Sequence, residues 1–226
     1  IGSGSYTGSV VLPQLKKIKA QISYIASSNG LSSTKLAKKF NISNSTTDYK
    51  NILSDSNVNL VLITTRHDTH AKIVMESIES GKNVFVEKPL CLNGTDLNEI
   101  VRKYKNSNTS VMVGFNRRFS PMALKLKSLL GDSNIPINIA MNINAGHIPS
   151  DSWIQDINVG GGRIIGEICH FIDLSTFFTG SLVERVCMNS MGINIEKNTD
   201  NVSLLLSYKN GSNVSINYFS NGSKAY

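Results

Sequence analysis

Three observations predict an α/β protein with an N-terminal Rossmann doubly wound parallel sheet, followed by an α+β domain with a mainly antiparallel sheet. Short apolar runs alternate with amphipathic stretches through the first half, a glycine turn precedes the first such stretch, and hairpin-spaced alternating runs fill the last third. The 226 residues, 40% hydrophobic and 17% charged, can bury a real core and are too apolar for a disordered chain.

The apolar runs are ISYIA (22 to 26), NLVLIT (59 to 64), NVFVE (83 to 87) and SVMVGF (110 to 115); LSSTKLAKKF, HAKIVMESIESG and GTDLNEIVRKYK lie between them with helical spacing. This alternation means βαβ units. Gly81 stands where a helix C′ glycine belongs. Residues 1–119 therefore read as the dinucleotide-type domain and 120–226 as the second domain. In the latter, MALKLKSLL reads as a helix, INIAMNINA as a strand and RIIGEICHFIDLSTFF as an apolar helix. VERVCMNSMGIN, NVSLLLSYK and NVSINYF alternate as strands, with Lys209-Asn210-Gly211-Ser212 as the turn between the last two. Their apolar face offers either core or an oligomerisation surface.

Only Ile1 precedes Gly2 where a full strand is expected, and SINYFSNGSKAY stops just past a strand, so the sequence reads as an excerpt truncated in its first strand and at its C-terminus. The net charge of +7 suits an anionic partner, but the basic residues are spread over separate helices as solvated faces. No nucleic-acid signature with interleaved aromatics is present. No apolar run approaches the ~18 residues of a membrane span and no signal segment opens the sequence. Cys91, Cys169 and Cys187 are widely spaced, which implies neither a disulfide framework nor a cysteine zinc site and fits a reducing cytoplasm. His67-x-x-His70 lacks further ligands, so no metal is expected.

The opening Ile1-Gly2-Ser3-Gly4-Ser5-Tyr6-Thr7 is either a flexible loop or a dinucleotide fingerprint with Thr7 in the third glycine position. A helix and then a strand follow it, which is the context the fingerprint requires. Ligands of such sheets bind beyond the carboxyl ends of the strands, which directs attention to Ser27 and Ser28, Thr64 to His67, Glu87-Lys88-Pro89, and Asn116-Arg117.

IGSGSYT, ITTRHDTHAKIVMESIESGKNVFVEKPL (63 to 90), VGFNRRFSP (113 to 121) and WIQDINVGGGRIIGEICHFIDL (153 to 174) together resemble the Gfo/Idh/MocA family of NAD(P)-dependent oxidoreductases, in the family's order over nearly the whole sequence. RHDTH, FNRRFSP and GGGRIIGE resemble more narrowly the members fused behind a zinc-type alcohol dehydrogenase, which implies such a domain upstream. The resemblance implies NAD or NADP as cofactor, a small sugar-like substrate and a homo-oligomer. It places Gly2, Gly4, Ser5, Tyr6, Thr7, Ser27, Ser28, Thr64, Thr65, Arg66, His67, His70, Glu87, Lys88 and Asn116 at the cofactor.

Carried over residue by residue, Lys88 is the active-site lysine, able to stabilise alkoxide character on the substrate oxygen. The family's Lys-Pro bond is often cis. His170 is the proton acceptor, with a side chain that titrates near neutrality. Where many relatives carry Asp four residues before this histidine, this sequence has Gly166. Glu167 either supplies the missing carboxylate or is a polar helix residue; Asp173 is the second candidate and equally a backbone partner. Trp153 reads as a substrate neighbour or a packing anchor, and Arg117 and Arg118 as substrate contacts or ion-pair partners. Ser27-Ser28-Asn29 replaces the acid that favours NAD, leaving both cofactors open. Hydride transfer at a CH–OH or carbonyl group is the leading reading. The alternatives are an NAD-dependent glycosidase or lyase with transient redox, and a non-catalytic cofactor-binding module.

Overall fold

The computed structural model describes residues 1–131, 135–192 and 200–223. It divides into two compact units, Ile1–Gly114 and Phe115–Tyr226.

In the first unit, β1 (Tyr24–Ala26) pairs in parallel with β2 (Asn44–Thr46), while β3 (Leu60–Ile63), β4 (Asn83–Val86) and β5 (Val111–Val113) form a parallel sheet in that order. The two pieces are joined through the first residues. Gly2 N–H donates to the Ala26 carbonyl at 2.9 Å, and Thr64 N–H donates to the Ile1 carbonyl at 2.9 Å, so this backbone is hydrogen-bonded to both. Val61, Ile63, Val84 and Val86 are buried as central parallel strands require. α4 (His70–Glu79) packs Ile73, Val74 and Ile78 into the same core and ends at Gly81, which takes φ +70°. α5 (Gly94–Lys105) is capped by the Asn93 side chain, which accepts from Asp96 N–H. α1 (Leu12–Lys17) and α2 (Leu31–Phe40) bury Leu12 and Ala37 against Ile25 and Ile42. β2 and the short α3 (Lys50–Ser54) were not expected from the sequence. Asn44-Ser45-Thr46 is polar and largely exposed, held by backbone pairing and by polar side-chain bonds such as Asn44 Nδ2 to the Ser23 carbonyl at 3.0 Å, so it carries no apolar signal.

In the second unit, α6 (Pro121–Leu130) starts at a Ser120 cap with Pro121 at its first position. β6 (Asn138–Asn144), β7 (Val183–Ser190), β8 (Val202–Tyr208) and β9 (Asn213–Phe219) form one sheet in the order β6-β9-β8-β7. Two of its pairings are antiparallel, and β6 with β9 is parallel. α7 (Cys169–Thr179) and the residue before it lay Ile168 and Phe171 on the inner face, against Leu204, Leu206, Val214 and Ile216. The sides of NVSLLLSYK and NVSINYF that carry Leu204, Leu206, Val214 and Ile216 are thus core, one of the two readings their alternation left open. On the other face the central row is polar: Asn217 donates to Asn142 Oδ1 at 2.9 Å, and Ser203 donates to Asn217 Oδ1 at 2.9 Å. Positions 193 and 194 of the expected strand VERVCMNSMGIN lie outside the described residues. The turn before β9 places Gly211 at φ +86°. No described helix is long and apolar enough to cross a membrane.

Candidate active site

The opening turn separates two uses of glycine. Gly2 has φ +105°, and a Cβ there would lie 2.6 Å from Thr64 Oγ1 and 2.7 Å from Thr64 backbone atoms, so packing within the fold alone demands glycine. A Cβ at Gly4 would meet no protein atom within 4 Å. Gly4 is exposed, leads into the helix that starts at Ser5, and leaves its backbone open to a group from outside the protein. This fits the pyrophosphate of a dinucleotide, which binds where glycine permits close approach and helix amides converge. The helix continues through a π-helical turn, Thr7–Val11, into α1.

Thr7, expected at the cofactor, faces inward. Its hydroxyl lies 2.8 Å from that of Thr64, whose oxygen also donates to the Ile1 carbonyl at 3.2 Å. Thr7 therefore does the helix-packing work of the fingerprint's third position, and this corrects its reading as a cofactor contact. Ser27, at the end of β1, accepts from Ser32, whose hydroxyl lies 2.6 Å from that of Ser3. Ser3 and Ser32 were missed in the sequence; the signal was a small polar residue opening α2 across from the glycine turn. Ser28 and Arg66 are exposed.

Beyond β4 lies the Glu87-Lys88-Pro89 turn, with a cis Lys88-Pro89 bond. The Glu87 carboxylate accepts from the Tyr6 hydroxyl and from Lys88 N–H. Burial nevertheless pushes its carboxyl above the usual carboxylate range, because those contacts only partly offset lost hydration. Gly114 makes room for it: a Cβ there would sit 3.0 Å from Glu87 Oε1. Lys88 is half-buried. Thr65 Oγ1 accepts from Thr69 at 2.7 Å. His70, expected at the cofactor, has no exposed surface and faces two carbonyls of this unit, so it is not a direct contact.

In the second unit the glycine triplet stands ahead of the helical segment that carries His170. A Cβ at Gly160 would fall 2.5 Å from backbone atoms of Trp153 and Ile154, so the Trp153 loop packs directly on this glycine. Gly161 and Gly162 take φ +76° and +71°. A π-helical turn, Ile164–Ile168, then leads into α7. His170 is 7% exposed and meets the Phe115 ring edge-on at 6.2 Å. Trp153 is half-buried and Asn116 exposed.

The candidate carboxylates have partners the sequence did not reveal. Glu167 Oε2 accepts from Arg163 Nε at 3.2 Å and Nη2 at 2.9 Å, and from the Tyr218 hydroxyl. Arg163, 1% exposed, also donates to the Gly146 carbonyl at 2.6 Å and lies 3.9 Å from Asp200 Oδ2. Burial, then the Glu167 carboxylate, hold the Tyr218 phenol far above its ordinary range, so it remains a donor. Arg118 grips Asp173 along one guanidinium edge, Nε donating to Oδ2 and Nη2 to Oδ1, and Arg117 stacks 4.5 Å from the centre of the Phe171 ring. Arg163 was missed because a buried arginine reads as surface until its carbonyl and carboxylate partners are known. Among the described residues no three His, Cys, Asp or Glu side chains gather as a metal site.

A sequence model of an oxidoreductase family with an NAD-binding Rossmann fold matches residues 1–115. The chain is 28% identical over 151 residues to myo-inositol 2-dehydrogenase of Thermotoga maritima, covering 67% of this chain and 45% of that protein. It is 32% identical over 185 residues to Oxidoreductase P35 of Formosa agariphila, covering 77% and 57%. The chain thus spans about half the length of the curated relatives it matches. Among solved structures, a levoglucosan dehydrogenase in complex with NADH and levoglucosan shares the fold at a TM-score of 0.84 and 23% identity, covering 99% of this chain and 66% of that one. With the glycine turn, the parallel sheet and the Glu-Lys-Pro turn in place, the match over residues 1–115 settles the assignment: the chain belongs to the Gfo/Idh/MocA oxidoreductase family, and its first unit is that family's NAD-binding Rossmann fold.

Proposed function

We propose that the full protein transfers a hydride between a nicotinamide cofactor and a CH–OH or carbonyl group of a sugar-like or cyclitol substrate. The observation that carries this reading is the Glu87-Lys88-Pro89 turn at the carboxyl end of β4, in a unit of this family that also presents an open Gly4 turn. Bound nicotinamide supplies the hydride acceptor or donor. The amides following Gly4 bind the pyrophosphate, and Lys88 donates to the substrate oxygen, stabilising the charge that grows there. His170 takes the hydroxyl proton during oxidation and returns it during reduction. Its pairing with Lys88 rests on the family resemblance. Glu167, engaged by Arg163 and Tyr218, positions the helical turn that leads to His170, and Trp153, Arg117 and Asp173 border the substrate.

The reading extends to a homo-oligomer, which the family resemblance supports, to a reducing cytoplasm, which the widely spaced cysteines support, and to a zinc-type alcohol dehydrogenase domain upstream, which the resemblance of RHDTH, FNRRFSP and GGGRIIGE supports. Light scattering tests the oligomer, and the full gene sequence the upstream domain. For activity, the full-length protein is offered NAD or NADP with myo-inositol, levoglucosan, uronic acids and nucleotide sugars, while nicotinamide absorbance is followed. Reduction of cofactor by a polyol is the expected result. Bond cleavage without net cofactor reduction would point to transient redox, and failure to bind any nicotinamide dinucleotide would overturn the proposal.

A further inference from the structure

One buried side chain joins the loop after β3 to the turn after β4, and the mechanism above does not use it. His70, the first residue of α4, has no exposed surface. Its Nδ1 lies 2.7 Å from the Pro89 carbonyl oxygen and its Nε2 lies 3.2 Å from the Thr65 carbonyl oxygen. A carbonyl oxygen only accepts, so each contact calls for a proton on the nitrogen that faces it; a neutral ring has one, and the shorter contact claims it for Nδ1. A buried imidazole is costly unless hydrogen-bonded, and an aliphatic residue would fill the same volume without that cost. The choice of histidine is therefore explained by what it holds. It holds the Pro89 carbonyl, immediately after Lys88, while the Tyr6 hydroxyl holds the Glu87 carboxylate immediately before it. Lys88 sits between two anchored neighbours.

We propose that His70 is a positioning residue for Lys88: its Nδ1–H fixes the Pro89 carbonyl and with it the direction in which the turn presents the lysine amine. The inference rests on the reading of Lys88 as the residue that meets the substrate. A reacting group displaced by about 1 Å can lose on the order of a hundredfold in rate, so such a clamp has kinetic weight.

The test uses the full-length protein and three substitutions. In His70→Asn the amide nitrogen can stand where Nδ1 stands, in His70→Gln it reaches the place of Nε2, and His70→Leu keeps bulk alone. Lysines are methylated with carbon-13 and the Lys88 resonance is assigned with Lys88→Arg. The Lys88 resonance is expected to move in the Gln and Leu variants and to hold its wild-type position in the Asn variant. Turnover should fall roughly tenfold or more in the first two, with NADH affinity within about twofold, and recover in the third. An unmoved Lys88 resonance in the Gln variant, or an Asn variant as impaired as the Gln variant, overturns the proposal; these two decide even if the Leu variant fails to fold. A wild-type protein that turns over nothing defeats the proposed function, whereas the resonance still tests the clamp.

Discussion

Glu87 and Glu167 invite comparison, because each is a half-buried carboxylate close in sequence to a proposed catalytic side chain, and each accepts from a tyrosine hydroxyl. They differ in the third partner. Glu167 is gripped along a guanidinium edge by buried Arg163, whereas Glu87 otherwise accepts from the neutral N–H of Lys88, and the Lys88 ammonium adds only a weaker attraction. A carboxylate matched by a guanidinium is a strut, and removing either partner strands a charge. A carboxylate held by neutral donors in a partly dry site keeps a raised affinity for protons. Similar surroundings in the sequence thus yield a fixed anion in one unit and a strained one in the other.

The largest effects should come from the neighbours of these glutamates rather than from the glutamates themselves. Lys88→Met is expected to remove most turnover while sparing cofactor affinity, because its contact with the substrate oxygen strengthens chiefly in the transition state. His170→Asn should lower turnover by roughly 10²- to 10⁴-fold and abolish the near-neutral limb of the pH–rate profile. Steady-state rates over pH, with cofactor titrations on the same samples, check both. Unchanged rates in both variants would sink the mechanism even with the fold and cofactor binding intact.

Next in size is the strut itself. Arg163→Met takes the guanidinium away from Glu167 and Asp200 and strips the Gly146 carbonyl of its donor. Glu167 keeps 32% of its side chain exposed and regains water, so the loss should fall short of the roughly 3 kcal/mol of a fully buried pair and lower the melting temperature by about 5 °C. Arg163→Lys, which keeps the charge without the fork, should recover part of it. A melt indistinguishable from wild type would show that the buried arginine is not the strut.

What the sequence revealed and what it hid follow the same division. The strands Leu60–Ile63 and Asn83–Val86 were legible because buried parallel strands read as continuous apolar runs, and the Gly81 stop because a left-handed C′ position favours glycine. β2 was not legible: an exposed edge strand of Asn-Ser-Thr is held by backbone pairing and polar side-chain bonds, which leave no apolar pattern. Site residues on a motif were easy to nominate, yet their orientation was not. Thr7 and His70 lie in the right stretches and face inward, because one helical step decides between a ligand and a core contact. Arg163 gave no sign of burial, since its pair with Glu167 reads as an ordinary helix-surface pair and its other partners, Gly146 and Asp200, lie further along the chain.

The smallest effect separates the two glutamates most cleanly, because it should differ in sign. Glu167→Gln replaces the acceptor of a guanidinium with an amide that cannot match it, so its melting temperature at neutral pH should fall. For Glu87 the folded-state pKa is raised above the unfolded value near 4.3, so the folded protein binds that proton more tightly. The stability linked to this proton is fully present below the unfolded value and is lost as pH rises through the folded one. At neutral pH the wild type therefore carries the cost of a buried charge. Glu87→Gln removes the charge yet still offers the Tyr6 hydroxyl a carbonyl acceptor, so it should melt as high as wild type or a few degrees higher at pH near 7. That advantage should shrink as pH falls toward 4, where the wild-type carboxyl takes up its proton. Melts of both variants from about pH 4 to pH 8 check this. A Glu87→Gln difference that is flat across that range would mean that Tyr6 and Lys88 compensate the Glu87 charge as completely as Arg163 and Tyr218 compensate that of Glu167, and the contrast between the two sites would be gone.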